Sequence, residues 1–384
     1  MKKKNDIKLT LISFLSYSFI GSLVVITGIV MNQIAKSFNY PITKISMIFT
    51  FLNLGILIGI IINSWIIKKV SIKKQIILSF LLLINSTILL FICKNIIIFS
   101  AIIFIYGLVS GLTMSIGTFL ITVKYIEKER TPMLLLTDSF FSISGTIFPL
   151  ISAYILKKEF SWHYIYMIIS VIYMIIFLIT LNTTFPLYVV HKKNEIKKKK
   201  YKKTTIILYF IAFLYILGQL TFISWIPIYV NKYINLNIIQ SGNIISEFWT
   251  SYMIGMWFFS IIIKFFNFKK LIANLMLIST ILIYLFNHTY HYQLLQYIII
   301  TLGFFSSAIY SSIVTLASLE MNPPSQKIIN FTLISGTIGT LLTFLISSPI
   351  VKIYDEKYAL YMANIIYFIV LNLFIMFIYF KKKK

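Results

Sequence analysis

Charge is what this chain has least of: Asp, Glu, Lys and Arg make up 12% of its 384 residues, against 59% hydrophobic. Soluble domains run nearer to a quarter charged, and disordered chains are less apolar still. The scarcity excludes both classes. Acids are the rarer sign, ten against 35 Lys and Arg, for a net charge of +25. Cysteine occurs once, as Cys93, so no disulfide closes within the chain and no cysteine-based metal site is expected. The four histidines, His163, His191, His288 and His291, lack zinc-ligand spacing. Walker A, HExxH, GxSxG and GxGxxG stretches are missing, which leaves ATP drive and hydrolysis without support. Neither a cofactor nor an enzymatic activity is expected, because no acid, His or Cys cluster lies inside the apolar runs.

Long apolar runs are what the chain has instead, with a mean hydropathy of +0.91. A helical span needs ~20 apolar residues, so twelve would use about 240–300 and leave only short loops. Cutting at charges and turn residues gives spans near 9–33, 45–67, 75–93, 95–123, 131–156 and 161–183. The second half gives 204–230, 243–263, 271–288, 293–318, 328–351 and 358–380. The opening MKKKNDIKLTLISFLSYSF imitates a signal peptide, yet its uncharged stretch from Leu9 to Ala35 is too long for one. It reads as the first span.

Basic residues test this count. Nearly all are Lys, with Arg130 the only Arg, a bias of AT-rich coding, so position is read here and not number. With both termini inside, 27 Lys and Arg fall in cytoplasmic segments and 8 outside. That is the positive-inside pattern. The run KKNEIKKKKYKK at 192–203 reads as an inner linker leaning on anionic lipid headgroups, at about 1 kcal/mol per basic residue. Nucleic acid is not expected as a partner, since no base-reading module accompanies the run.

The halves are related. ISGTI at 143–147 recurs at 334–338, an offset of 191. Gly59 and Lys68 map onto Gly255 and Lys264, and Gly107 and Ser110 onto Gly303 and Ser306, each at an offset of 196. The expectation is an all-α integral membrane protein of twelve transmembrane helices in two pseudo-symmetric six-helix bundles. The bundles span 1–183 and 204–384, joined by a basic cytoplasmic linker at 184–203. Parallel repeats of this kind place a substrate site near midplane, between the bundles.

Polar groups at span depth are the informative residues, because an acid at mid-bilayer costs ~2.5–3.5 kcal/mol. Only Asp138 and Glu247 among the acids fall inside spans. Asp138 shares a helix face with Ser142, Gly145 and Pro149; it reads either as a proton-titrating or substrate-contacting carboxylate, or as a structural or gating acid. Glu247 stacks with Ser251 and Gly255, and its counterpart in the repeat is Phe51, so proton coupling and a wet rim position both stand open. Asn53, Gln219, Thr221, Trp225, Trp249 and Tyr252 are the other polar or amphipathic groups. Gln219 and Trp225, between Gly218 and Pro227, suggest a broken helix lining a cavity. The small-residue faces of the fourth span (Gly107, Gly111, Ser115) and the tenth (Gly303, Ser307, Ser311) suit close helix packing.

Several blocks then carry a likeness. KLTLISFLSYSFIGSLVVITGIVMNQIA, FIYGLVSGLTMSIGTFLIT, LLLTDSFFSISGTIFPLISA, YILGQLTFISWIPIY and SGTIGTLLTFLISSPIV resemble the TsgA family of the major facilitator superfamily, over nearly the whole chain. That family is similar in plan to the proton-coupled fucose and hexose permeases. The resemblance implies twelve helices, a bacterial inner-membrane location and alternating access, with no substrate to carry over. The sequence departs from the superfamily at the loop KKVSIKK (68–74), which lacks the usual Asp and Gly. The first span also lacks the carboxylate of the fucose-type permeases, so proton coupling does not transfer.

The expected function is secondary transport of a small polar solute, with Asn53, Gln219, Trp225 and Tyr252 binding it. Asp138 and Glu247 serve proton coupling or gating, and the transporter is a monomer. The alternative is a non-transporting receptor or assembly protein on a transporter scaffold.

Overall fold

A computed structural model describes residues 2–66, 69–125, 127–185, 203–262, 268–318 and 326–382. Most of the basic linker, Lys68, Lys264 and Glu320 lie outside the described residues. The chain divides into two compact units, Met1–Lys192 and Lys193–Lys384. Every described element is helical. Unit 1 holds α1 (Lys2–Val25), α2 (Thr27–Phe38), α3 (Ile42–Ile66), α4 (Ile72–Ile92), α5 (Ile96–Lys124), α6 (Glu127–Lys157) and α7 (His163–Leu181). Unit 2 holds α8 (Lys203–Ile234), α9 (Ile238–Ile262), α10 (Phe268–Asn287), α11 (Tyr292–Ser306), α12 (Ile309–Ser318), α13 (Gln326–Ile353) and α14 (Glu356–Lys382).

Eleven helical stretches among the described residues are long and apolar enough to cross a membrane. The expected eighth span coincides with α9, which has the length, 25 residues, but carries Glu247 among several hydroxyls and so falls short in hydropathy. The outward faces are apolar as well. In α7, Tyr166, Ile169, Tyr173 and Ile176 are buried, while Met167, Val171, Met174 and Leu178 are exposed. A helix apolar on both faces has protein on one side and lipid on the other.

Two expected single spans are interrupted. The first is divided at Ile26, between α1 and α2, where Ser22 and Thr27 hydroxyls donate to the carbonyls of Phe19 and Val24. The tenth breaks at Ser307–Ala308, between α11 and α12, where Ser307 Oγ donates to Phe304 O at 2.7 Å. Such back-bonding competes with the helix ladder and bends it. The seventh span corrects the expectation in the other direction. α8 runs unbroken from Lys203 to Ile234 with Pro227 inside it. Proline removes one ladder hydrogen bond, which a 32-residue packed helix absorbs.

The 196-residue offset reappears in the packing. A Cβ on Gly59 would strike Leu108 O, and one on Gly255 would strike Phe304 O. A Cβ on Gly107 would strike Leu52 O, and one on Gly303 would strike Phe248 O. All four pairs of equivalent positions differ by 196. So α3 meets α5, and α9 meets α11, in one register with backbones in contact, as small residues permit in membranes. The expectation of close packing for these faces holds at those glycines. Asn39 after α2 and Asn235 after α8, again 196 apart, both take left-handed φ values of 56° and 58°. Asparagine tolerates that conformation and ends each helix alike.

Candidate functional site

In unit 1, α1 and α6 are locked side by side around Asp138. Phe14 stacks on Phe140 with ring centroids 4.3 Å apart, Ser18 Oγ donates to Phe140 O, and Gly21 lies against the Phe141 backbone. Asp138 is part-buried, two residues into the apolar stretch Leu136–Lys157. It lies within electrostatic range of Tyr17, whose phenol hydrogen-bonds Thr118 of α5 at 2.9 Å. The carboxylate makes no hydrogen bond or ion pair among the described residues. Lys124, at the end of α5, donates instead to Thr10 Oγ1 at 2.6 Å. Asn53 is buried on α3, at 4% exposure.

Unit 2 holds the other candidates. Gln219 is 4% exposed on α8, and its Nε2 has no acceptor among the described residues. Trp225 is fully buried, with its single donor already used: Nε1 reaches Ser347 Oγ of α13 at 2.9 Å. Tyr252 is buried on α9 against the rings of Phe248 and Trp249. Glu247 accepts from Gln296 Nε2 of α11 at 2.6 Å.

The structure joins groups that lie far apart in sequence. Tyr215 of α8 donates to Ser306 O at 2.8 Å, the carbonyl at the break of the tenth span. Its single proton is thereby used, and Tyr252 and Tyr367 hydrogen-bond to the same phenol. Ser306 Oγ in turn donates to Ser279 Oγ at 3.1 Å. Tyr252 therefore sits in a five-helix polar network that its own sequence neighbourhood does not announce. Gln296 and Tyr292 were equally silent, although their i, i+4 spacing matches that of Asn243 and Glu247. Among the described residues no Lys, Arg, Asp or Glu is fully buried, and no group of three His, Cys, Asp or Glu could hold a metal.

Comparison with known proteins agrees with this architecture. The Major Facilitator Superfamily model matches residues 9–327. The protein TsgA homolog of Buchnera aphidicola subsp. Acyrthosiphon pisum (strain Tuc7) is 52% identical over 384 residues, covering 100% of this chain and 99% of the relative. The protein TsgA homolog of Yersinia pestis (strain Pestoides F) is 45% identical over 371 residues, covering 96% and 94%. A crystal structure of the nucleoside transporter NupG superposes with a TM-score of 0.71 at 14% identity, over 97% of this chain and 99% of that one. The last likeness speaks for the fold. The chain is a multi-pass transporter of the bacterial inner membrane and not an enzyme, and it belongs to the TsgA family of the major facilitator superfamily.

Proposed function

We propose that this transporter is a secondary active carrier of a small, neutral, polar solute, working by alternating access with both termini cytoplasmic. The observation that supports this most is the Gln219 amide: a buried N–H donor with no acceptor among the described residues, on a helix long and apolar enough to cross a membrane. An unsatisfied buried donor costs about 1–3 kcal/mol, a cost that a ligand hydroxyl or carbonyl would offset. In the same unit, Tyr252 adds a phenol at similar burial. The absence of a buried Lys or Arg among the described residues weighs against an anionic cargo. Trp225 contributes as a packed aromatic wall, since its indole N–H is committed to Ser347.

Thermal unfolding of the purified protein against a panel of neutral, anionic and cationic solutes tests the reading, because a bound ligand raises stability by mass action. A neutral polyhydroxylated compound is expected to stabilise the protein, and Gln219→Ala to abolish that stabilisation while reaching the membrane normally. Stabilisation by anions alone, or an unchanged response in Gln219→Ala, would sink it. Reporter fusions after residues 72 and 384 are expected to report cytoplasm, and fusions near 158 and 290 periplasm.

A further inference from the structure

The seam between α9 and α11 changes character along its length. At Gly255 and Gly303 the backbones touch. Farther toward the N-terminal ends, Asn243 and Glu247 stand four apart on α9, and Tyr292 and Gln296 stand four apart on α11. Gln296 Nε2 donates to Glu247 Oε1 at 2.6 Å. The Tyr292 phenol hydrogen-bonds the Asn243 side chain and lies within electrostatic range of Glu247. Glu247 Oε2 is buried, and no donor reaches it among the described residues. The ion pairs among those residues all involve Lys232, so no basic side chain neutralises the Glu247 carboxylate.

A carboxylate with one oxygen buried and unpartnered is held at a cost unless something positive joins it. The seam does not need the acid in order to form. At the 196 offset the equivalent four positions of unit 1 are Met47, Phe51, Ile96 and Ser100, and α3 still closes on α5 in the same register. Packing therefore gives no account of why unit 2 keeps a carboxylate and two amides there.

We infer that the α9–α11 seam is a monovalent-cation site, in which Glu247 Oε2 takes either a proton or a sodium ion. The Tyr292 hydroxyl and the Asn243 amide supply further oxygen atoms beside it. Gln296 is a positioning residue: its amide fixes Oε1 and leaves Oε2 to the cation. Tyr292 is the titratable neighbour that α11 contributes, and among the described residues α8 sends no charged group within ion-pair distance. The inference rests on the transporter reading and gives that reading its ion.

The experiment is thermal unfolding of the full-length purified protein at several values between about pH 5 and pH 9, since a group that binds a proton differently in the folded and unfolded states makes stability pH-dependent. It is run once in choline chloride and once in sodium chloride at equal ionic strength. Wild type is expected to respond to pH in choline if the cation is a proton, or to sodium at fixed pH if it is sodium. Glu247→Gln is expected to lose whichever response wild type shows. Gln296→Leu is expected to keep the response with its midpoint moved about fivefold in cation concentration, the worth of one hydrogen bond. A purely structural Gln296 would lower stability without moving that midpoint. If Glu247→Gln does not yield folded protein, Glu247→Asp must retain a response with a displaced midpoint. An identical pH and sodium response in wild type and Glu247→Gln overturns the inference, as does a wild type that responds to neither. Since the assay contains no solute, either failure leaves the solute reading to its own test.

Discussion

The α3–α5 seam of unit 1 is lined by four glycines, Gly55, Gly59, Gly107 and Gly111, each facing a backbone carbonyl of the other helix. The α9–α11 seam of unit 2 keeps Gly255 and Gly303 at equivalent positions but has Ser251 and Ser307 where unit 1 has Gly55 and Gly111. Each serine turns its hydroxyl back onto its own helix, to Phe248 O at 2.9 Å and Phe304 O at 2.7 Å. In unit 1 the fourth span runs on as one helix to Lys124; in unit 2 the tenth ends its first helix at Ser306, beside one of those serines. One duplicated scaffold thus gave a stiff seam in the first unit and a jointed, polar one in the second. Close approach was retained in both, and the chemistry diverged in unit 2.

Adding single carbons to the seams gives the largest expected effect. Gly107→Ala and Gly303→Ala each place a Cβ onto a carbonyl oxygen, of Leu52 and Phe248 respectively. Overpacking of this kind costs about 1–3 kcal/mol and sometimes more, and both variants belong at the upper end because backbone cannot swing aside. The exchanges between units should be unequal. Gly55→Ser forces a side chain against Phe104 O and is expected to cost about as much. Ser251→Gly removes a side chain and is expected to cost only ~0.5 kcal/mol, the step from serine to glycine in helix propensity. Heat unfolding in detergent measures all four. Equal losses for Gly55→Ser and Ser251→Gly would mean that the two seams are not the same joint.

The Tyr215 hydroxyl comes next. It supplies the donor that Ser306 O lacks where the helix stops. Its counterpart at the 196 offset is Phe19, which has no hydroxyl, and the α5 ladder next to it needs none. Tyr215→Phe is expected to cost about 1 kcal/mol. Amide hydrogen exchange should rise in residues 306–312 and leave 110–116 unchanged. Unaltered exchange in both segments would show that the break holds itself without the phenol.

How much of this was legible beforehand follows from what sequence encodes locally. Twelve apolar runs bounded by charge were visible because length and hydropathy are properties of a run. The repeat was visible through glycines, whose positions a close approach dictates. The breaks at Ile26 and Ser307 were not, because a serine that bends a helix looks like one that does not. Pro227 suggested a break in α8 that packing overrode. Asp138 and Glu247 stood out as acids in apolar surroundings. The partners of Glu247 and of Trp225 did not: Gln296 lies 49 residues from Glu247, and Ser347 lies 122 from Trp225. Matching i, i+4 polar pairs on the eighth and tenth spans were the available signal for the cation seam.

The smallest expected effect lies where the first span of each unit meets the loop between its last two spans. In unit 1 the link is neutral: Trp162 Nε1 donates to Ser37 Oγ at 2.9 Å. In unit 2, Lys232 reaches Asp355 Oδ1 at 2.7 Å and Glu356 Oε2 at 2.8 Å, and the Tyr233 hydroxyl donates to Asp355 Oδ2. Partial burial pushes the Asp355 carboxyl up, but the bonds from Lys232 and Tyr233 and the ammonium charge outweigh it and hold the carboxyl below its ordinary value. A carboxyl held low in the folded state contributes stability above its unfolded value, ~3.9, and loses it as pH falls through the folded one. Lys232→Met is therefore expected to unfold earlier than wild type near neutral pH and to converge with it in acid. The difference should stay within ~1 kcal/mol, since Lys232 is half exposed and solvent screens the pair. Ser37→Ala removes a bond with no titrating member, so its loss should be the same at both pH values. A Lys232→Met deficit that persists undiminished in acid would mean the lysine acts through its alkyl stem, and the two links would differ in name only.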